Sequence, residues 1–386
     1  MSTDPEAVRV RLRAVASRAD DVAPVRLRTI AFLLGLVVVA AAVVDDGALL
    51  AEYVPGLAGW SPAAIDWLFL PALLAFGCYV VVPALARPAR TGHLLRALSS
   101  NVPATLALGY LVVFFLVGTL GPTILGEAHV GLDRQYQPPL FVTVDATTLG
   151  GDCLAASPVE RCSGTLAHPV GTDKLGRDVL LTTVAGMQVA LQVSLVAATI
   201  IVPIAVAVGT VSGLFGGRVD SALMRYVDVQ QTVPALLVFF ILSFLYGRGL
   251  VLFVVVFGLL NWGGVARVVR SEVRRRRNEP FVEAAEGFGA GRSSILRRHL
   301  LPAVSGTVVT ALSQQVPLFI LTEAAISFME LNGGDRASWG ETIVNGLRSF
   351  PDAWWISTVP VVALCLTVVS MVVLGDALRD IFDVRI

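Results

Sequence analysis

Polar and apolar positions in this chain do not alternate at the short periods of a soluble fold. They separate into long runs. Charge-free apolar stretches near 20 residues recur along its 386 positions. That is the length of helix that crosses roughly 30 Å of hydrocarbon at about 1.5 Å per residue. Eight spans are expected from them. The first, 29–44, is short at 16 residues, and the second is about 63–86 with Asp66 near its start. The third is about 105–125, and the fourth lies inside a 39-residue charge-free run, 179–217, longer than one span requires. The fifth and sixth, 229–247 and 249–266, are separated by Arg248. The seventh, 300–322, continues past Glu323 to Met329, and the eighth, 353–375, opens with Trp354 and Trp355 at the expected interface.

Composition agrees with the pattern. Hydrophobic residues make up 55% and charged residues 15%, against about 45–50% and 25% in soluble domains. An ordinary cytosolic enzyme is excluded, and so is a disordered chain. Lys+Arg and Asp+Glu are both 29, so no basic excess points to a nucleic-acid partner. Lys174 is the single lysine and the remaining basic residues are arginines. Four cysteines are too few for a disulfide framework. The N-terminal segment carries Arg9, Arg11, Arg13 and Arg18 beside Asp20 and Asp21, and no cleavage signature follows the first apolar run. It is read as a retained cytoplasmic tail.

Eight spans place both termini on one side. With the termini cytoplasmic, 22 basic residues fall in inner segments and 7 in outer ones, which accounts for all 29. The positive-inside rule therefore supports both the span count and the orientation. The organisation expected is a tail, an extra hairpin and a basic linker over 1–100, then a six-span core over 101–386. Within the core lie an outer loop, 126–177, and a cytoplasmic loop, 267–300. The outer loop is rich in Gly, Pro and Asp, and is expected to be loop with some short strand. Its Cys153 and Cys162 face an oxidising compartment, either as a disulfide or as two unpaired thiols. Cys78 and Cys365 are expected to be packing residues within spans.

Candidate chemistry is sparse. No G-x-x-x-x-G-K-[ST] loop is present, and Gly287, Gly289 and Gly291 lack the preceding strand and following Lys-Ser/Thr of a phosphate loop. His93, His129, His168 and His299 are scattered, and no pair has metal-ligand spacing. No catalytic residue, metal or cofactor is expected. The informative stretch is the inner loop, where Glu283-Ala284-Ala285 is followed at a fixed spacing by Gly289 and by His299-Leu300-Leu301-Pro302. Pro280 suits a first helical turn, and Gly287 or Gly289 suits a left-handed end. Ser293 or Ser294 suits the N-cap of a second helix. The product is a short helix across the cytoplasmic face, fit to dock on a soluble partner. The plainer alternative is a basic loop on anionic lipid, a role also open to Arg274–Arg277.

These residues resemble the cytoplasmic loop of binding-protein-dependent ABC importer permeases, and the Arg-His-x-Leu-Pro ending resembles the dipeptide/oligopeptide branch. The run from His168 through Gly171, Asp173, Gly176, Arg177 and Asp178 is similar to the outer-side signature of the C-type permease subunit of peptide and nickel importers. Gly216-Gly217 with Asp220, Met224, Arg225, Asp228 and Pro234 resembles that family's next inner loop and span. Glu323 through Ser327 and Phe328, Ser338-Trp339-Gly340, and Gly375-Asp376 through Arg379, Asp380, Asp383 and Arg385 resemble its later motifs. The likeness covers about 101–386. The hairpin over 1–100 is extra to the family core, and the outer segment is longer and more polar than its minimum.

The resemblance implies an all-α polytopic membrane protein: a six-span importer permease core with an N-terminal two-helix extension. It implies half of a translocation path, working by alternating access for dipeptides or oligopeptides. Nickel chelates, glutathione or another small solute remain open as substrates. A stand-alone secondary carrier is the reading from a different class. The implied partners are a second permease subunit, two ATP-binding subunits where ATP is hydrolysed, an extracellular or periplasmic substrate-binding protein, and plasma-membrane lipid. Glu283, Ala284, Ala285, Gly289, Leu301 and Pro302 would couple to the ATPase. Glu323 and Ser327 would face the path or act in gating, Glu323 alternatively pairing with an arginine or reaching the interface as a structural charge. Asp173, Arg177 and Asp178 would form an ion-pair brace or touch the second permease, and Arg225 and Asp228 would hold inner helix ends together.

Overall fold

The computed structural model describes residues 27–43, 63–145, 147, 153–154, 161–296, 300–331, 333 and 336–383. Two units divide between His93 and Leu94. In the first, α1 (Leu27–Val43) and α2 (Ala64–Ala86) are both apolar helices. At 17 residues, α1 is about 25 Å long, short of a full crossing. Its Gly35 meets the Leu74 side chain of α2, and Phe32 packs edge-on to Tyr79 at 5.6 Å. Asp66 is buried, and its Oδ2 accepts the Ala63 N–H at 2.8 Å, so the carboxylate serves the N-terminus of α2. The expected basic linker is helical, as α3 (Pro88–Ser99).

The second unit is built around one long helix. After α4 (Val102–Leu125), capped by Asn101, α5 runs from Val179 to Phe215. Thirty-seven residues make it about 55 Å long, well beyond the membrane core. The charge-free run that exceeded one span is thus a single helix that overshoots. Next come α6 (Gly217–Thr232) and α7 (Ala235–Tyr246), bent by 64° at the break. Pro234 has no N–H and biases Val233 to the extended conformation observed there. The expected fifth span, 229–247, is therefore not one continuous helix.

α8 (Leu250–Leu260) passes a break at Asn261 and Trp262 into α9 (Gly263–Arg277), so the sixth span runs on past Ala266. Two short helices follow, α10 (Pro280–Gly287) and α11 (Arg292–Ile295). The rest is α12 (Leu301–Phe328), α13 (Trp339–Leu347) and α14 (Trp355–Asp383). Among the described residues six helices are long and apolar enough to cross a membrane, or seven with the bent pair. The expected eight are reached only by adding the short α1.

The α5–α9 contact is close for a reason readable in Gly209-Thr-Val-Ser-Gly213. A Cβ at Gly209 would lie 2.6 Å from the Ala266 carbonyl oxygen, and one at Gly213 would lie 2.8 Å from the Val273 Cβ. Glycines four apart put bare backbone on one helix face and let the neighbour close in. At the other end of α5, Trp355 and Ile356 of α14 pack with Val179 and Ala353 in a buried cluster. The outer segment holds an antiparallel pair, β1 (Thr143–Asp145) and β2 (Arg161–Ser163), with Val144 opposite Cys162. Cys153 and Cys162 are disulfide-bonded. Cys365 is exposed on α14 and Cys78 half-buried, so Cys365 is not a packing residue within this chain.

Candidate functional site

The inner-loop motif forms a helix that offers one face outward. Pro280 opens α10 and the acidic Glu283 lies in its first turn, favourable to the helix dipole. Glu283 and Ala284 are exposed and Ala285 is half-buried. Val282, Ile295 and Leu300 are buried and hold the segment to the body. Gly287 ends the helix as its last residue, and Gly289 takes φ +80, the left-handed value that suits glycine. There the Phe288 and Ala290 N–H groups close on the Ala284 and Ala285 carbonyls at 3.1 and 3.0 Å. Phe288 itself is 93% exposed. α11 starts at Arg292, two residues earlier than a Ser293 cap would give, and the Ser294 N–H bonds the Gly291 carbonyl. Leu301 and Pro302 are the first two residues of α12. His299 lies outside the described residues.

α9 leads straight into this helix and is locked at its base by charge. The Arg270 Nε and Nη2 donate to the two Asp220 oxygens, each at 2.5 Å. Arg274 adds a contact at 3.5 Å, and the Ser212 hydroxyl donates to the same carboxylate. One carboxylate at the start of α6 thus ties α5, α6 and α9. Arg277 donates to the Leu214 carbonyl at 2.8 Å, capping the end of α5. Arg275 and Arg276 pair with Glu272, and Arg276 also with Glu279. The run Arg274–Arg277 is therefore engaged by protein groups. Asp228 pairs with Arg267 at 2.6 Å, whereas Arg225 is exposed. Sequence reasoning passed over Asp220 and Arg270 as a pair, since 50 positions separate them.

The second motif lies at the opposite end of α5. Asp173, buried at 1% side-chain exposure, accepts the Leu175 and Arg177 N–H groups at 2.8 and 2.9 Å and the Arg177 Nε at 2.8 Å. Gly176 has φ +70, and a Cβ there would lie 1.7 Å from the Gly131 carbonyl oxygen. Gly171 leaves its N–H to the His168 carbonyl. Asp178 caps α5 through the Leu180 N–H at 2.8 Å and bonds His168 Nδ1 at 2.9 Å. The Trp355 indole donates to the Thr172 carbonyl at 3.2 Å. The motif is a loop braced on itself and seated on α14.

Glu323 and Ser327 are on α12 near this end. Glu323 is 3% exposed, and its Oε1 accepts the Ser327 hydroxyl at 2.6 Å. The Ser338 side chain bonds it as well and also accepts the Glu341 N–H at 3.3 Å, capping α13. Glu323 is thus neither a charge reaching back to the interface nor, among the described residues, the partner of an arginine. Trp339 seats α13: its indole donates to the Thr183 carbonyl at 3.0 Å while the ring covers Gly186. Among the described residues no group of three or more His, Cys, Asp or Glu could hold a metal ion. The arrangement suits mechanical linkage between two faces.

A profile described as "Binding-protein-dependent transport system inner membrane component" matches residues 205–386. The chain is 33% identical over 295 residues to the dipeptide transport system permease protein of Bacillus subtilis, covering 75% of this chain and 84% of the relative. It is 35% identical over 217 residues to the oligopeptide transport system permease protein of Haemophilus influenzae, covering 56% and 70%. Against the Escherichia coli K12 oligopeptide permease protein it is 34% identical over 217 residues, covering 56% and 72%.

Proposed function

The chain belongs to the binding-protein-dependent transport system inner membrane components, and from that premise we propose that it is the C-type permease subunit of an ATP-driven importer of dipeptides or oligopeptides. It is a multi-pass membrane transport subunit and not an enzyme. ATP would be hydrolysed on two separate ATP-binding subunits. A second permease would complete the path, and an external substrate-binding protein would deliver peptide. Both termini would be cytoplasmic.

The observation that carries this reading is the exposed α10 with Phe288 at its end, placed at the far end of α5 from the braced 171–178 loop. In the mechanism, ATP-driven closure of the ATPases displaces Glu283, Ala284, Ala285 and Gly289. Leu301 and Pro302 pass the displacement into α12, and α9 passes it to α5 through the glycine contact and Asp220. An energy source acting elsewhere biases the inward–outward equilibrium only by contacting the two states differently, and α10 is where this chain would supply that difference. Glu323 and Ser327 are buried, so their part is in gating, as the joint between α12 and α13, and not on the surface of the path. The 171–178 loop holds the outer end of α5.

The test is uptake. The full assembly in liposomes, given its binding protein, should accumulate radiolabelled dialanine with ATP and not with a non-hydrolysable analogue. Binding-protein-stimulated ATP hydrolysis without uptake of any di- or oligopeptide would contradict the peptide assignment.

A further inference from the structure

A cavity of about 640 Å³ lies at the end of α5 that carries the 171–178 loop, and no motif predicted it. Its wall includes Lys174, Arg248, Glu341 and Asn345, together with Arg177 and Arg348. Two of these cations are already neutralised. Arg177 is paired with Asp173 at 2.8 Å, and Arg348 is paired with Glu330. The other two are not. The Lys174 ammonium donates to the neutral Asn345 amide oxygen at 2.7 Å, and Arg248 Nη1 donates to the Glu330 backbone carbonyl at 3.0 Å. Among the described residues neither ends on a carboxylate. Glu341 is the converse case. One of its carboxylate oxygens is buried with no hydrogen-bond partner.

The two unbalanced signs are close. Glu341 and Asn345 are four apart on α13, so they share a helix face with about 5–6 Å between their Cβ atoms. Lys174 is held at the Asn345 position of that face. A cavity wall that carries an ammonium, a guanidinium and the side chain of Glu341, one of whose carboxylate oxygens has no partner, matches a small zwitterion. A dipeptide carries an α-carboxylate and an α-ammonium, and its length is about 7 Å at roughly 3.3–3.6 Å per residue. The volume lies in the range of about 300–1,000 Å³ that holds small ligands.

We infer that this cavity is a receiving site for short zwitterionic peptides: Lys174 and Arg248 take the C-terminal carboxylate and Glu341 takes the N-terminal ammonium. The inference rests on the peptide-importer reading and deepens it, since it gives the permease its own selection for free peptide termini. Charge-assisted bonds at both ends set that selection, and amidation or acetylation removes one end at a time.

The experiment uses the complete permease–ATPase assembly in nanodiscs, without the binding protein. Bound radiolabelled dialanine is competed by unlabelled dialanine, alanyl-alanine amide and N-acetyl-dialanine. Wild type should bind dialanine and be competed at least about ten-fold less well by either capped peptide. Lys174→Gln with Arg248→Gln should abolish the preference over the amide while keeping the preference over the acetyl form. Glu341→Gln should do the reverse, and Lys174→Arg should keep both. Equal competition by all three peptides, no binding to wild type, or preferences unmoved by the substitutions would overturn the inference. ATP-driven uptake with the binding protein, measured on the same preparation, separates the two readings. Uptake without terminus-selective binding sinks the cavity assignment alone, whereas loss of uptake as well sinks the peptide reading.

Discussion

Arg270 grips both oxygens of Asp220 at 2.5 Å, and the pair closes the base of α9 against α5 and α6 just before the exposed helix α10. The Asp220 side chain is 11% exposed and that of Arg270 26%, so solvent screens the pair only in part. Asp220→Ala and Arg270→Ala should each destabilise the assembly. The double substitution should cost less than the sum, with a coupling of about 0.5–3 kcal/mol for groups in direct contact. Thermal unfolding of the four variants of the cycle, followed by intrinsic fluorescence, checks it. The singles should also retain ATP hydrolysis while losing its stimulation by binding protein, since the lever between α10 and α5 is loosened.

The glycine seam makes a sharper demand. Gly213→Val would drive a branched side chain into Val273, and Gly209→Val would meet the Ala266 carbonyl. Each should destabilise by about 1–3 kcal/mol or prevent accumulation of the protein, as overpacking does. Gly264→Ala, also on the α5–α9 pair of helices but with its nearest neighbour at 3.8 Å, should be tolerated. Detergent-solubilised yield and melting temperature distinguish them.

Gly289, two residues beyond α10, turns the chain at φ +80. Gly289→Val should strain that turn by about 1–2 kcal/mol or more and reduce recovery of ATPase subunits with the tagged chain. Gly289→Asn should preserve recovery, because asparagine tolerates the left-handed region. The melting temperature of the membrane core should not change in either, since α10 is exposed.

Trp339 is the keystone of α13. Removing it with Trp339→Ala should cost about 3–5 kcal/mol, while Trp339→Phe, which keeps one aromatic ring but loses the five-membered ring and its bond to the Thr183 carbonyl, should cost less. If the cavity depends on where α13 is held, Trp339→Ala should also weaken dialanine binding more than Trp339→Phe. Melting curves and the binding assay read the two effects separately.

Most of the membrane architecture was legible because hydrocarbon imposes length and charge rules on every span. The helix starts at Asp178 and Asn101 and the turn at Gly289 follow local chemistry, so they too can be read from neighbours in sequence. What escaped has a common cause. The bend after Thr232 lies inside the charge-free run 229–247, where Pro234 signals it and enters the sequence reading only as a family feature. Asp220 finds Arg270 across 50 positions, and the cavity draws Lys174, Arg248 and Glu341 from three separate segments. Pairings set by tertiary packing leave no periodic trace. The Gly209 and Gly213 spacing did leave one, and a search of the long run for small residues four apart would have found it. Glu323 was visible as an ionisable group in a span, but its satisfaction by Ser327 and Ser338 depends on how α13 folds back.

The central claim is that α10 is the surface through which this permease engages its ATPases. Affinity purification of the tagged chain from a gentle detergent, with partners identified by mass spectrometry, tests it most directly when wild type and Glu283→Arg are run side by side. The account predicts two ATP-binding subunits and a second permease with the wild type. With Glu283→Arg it predicts the second permease alone. Recovery of the wild type by itself or as a homo-oligomer without any ATPase, or full retention of the ATPases by Glu283→Arg, would contradict it.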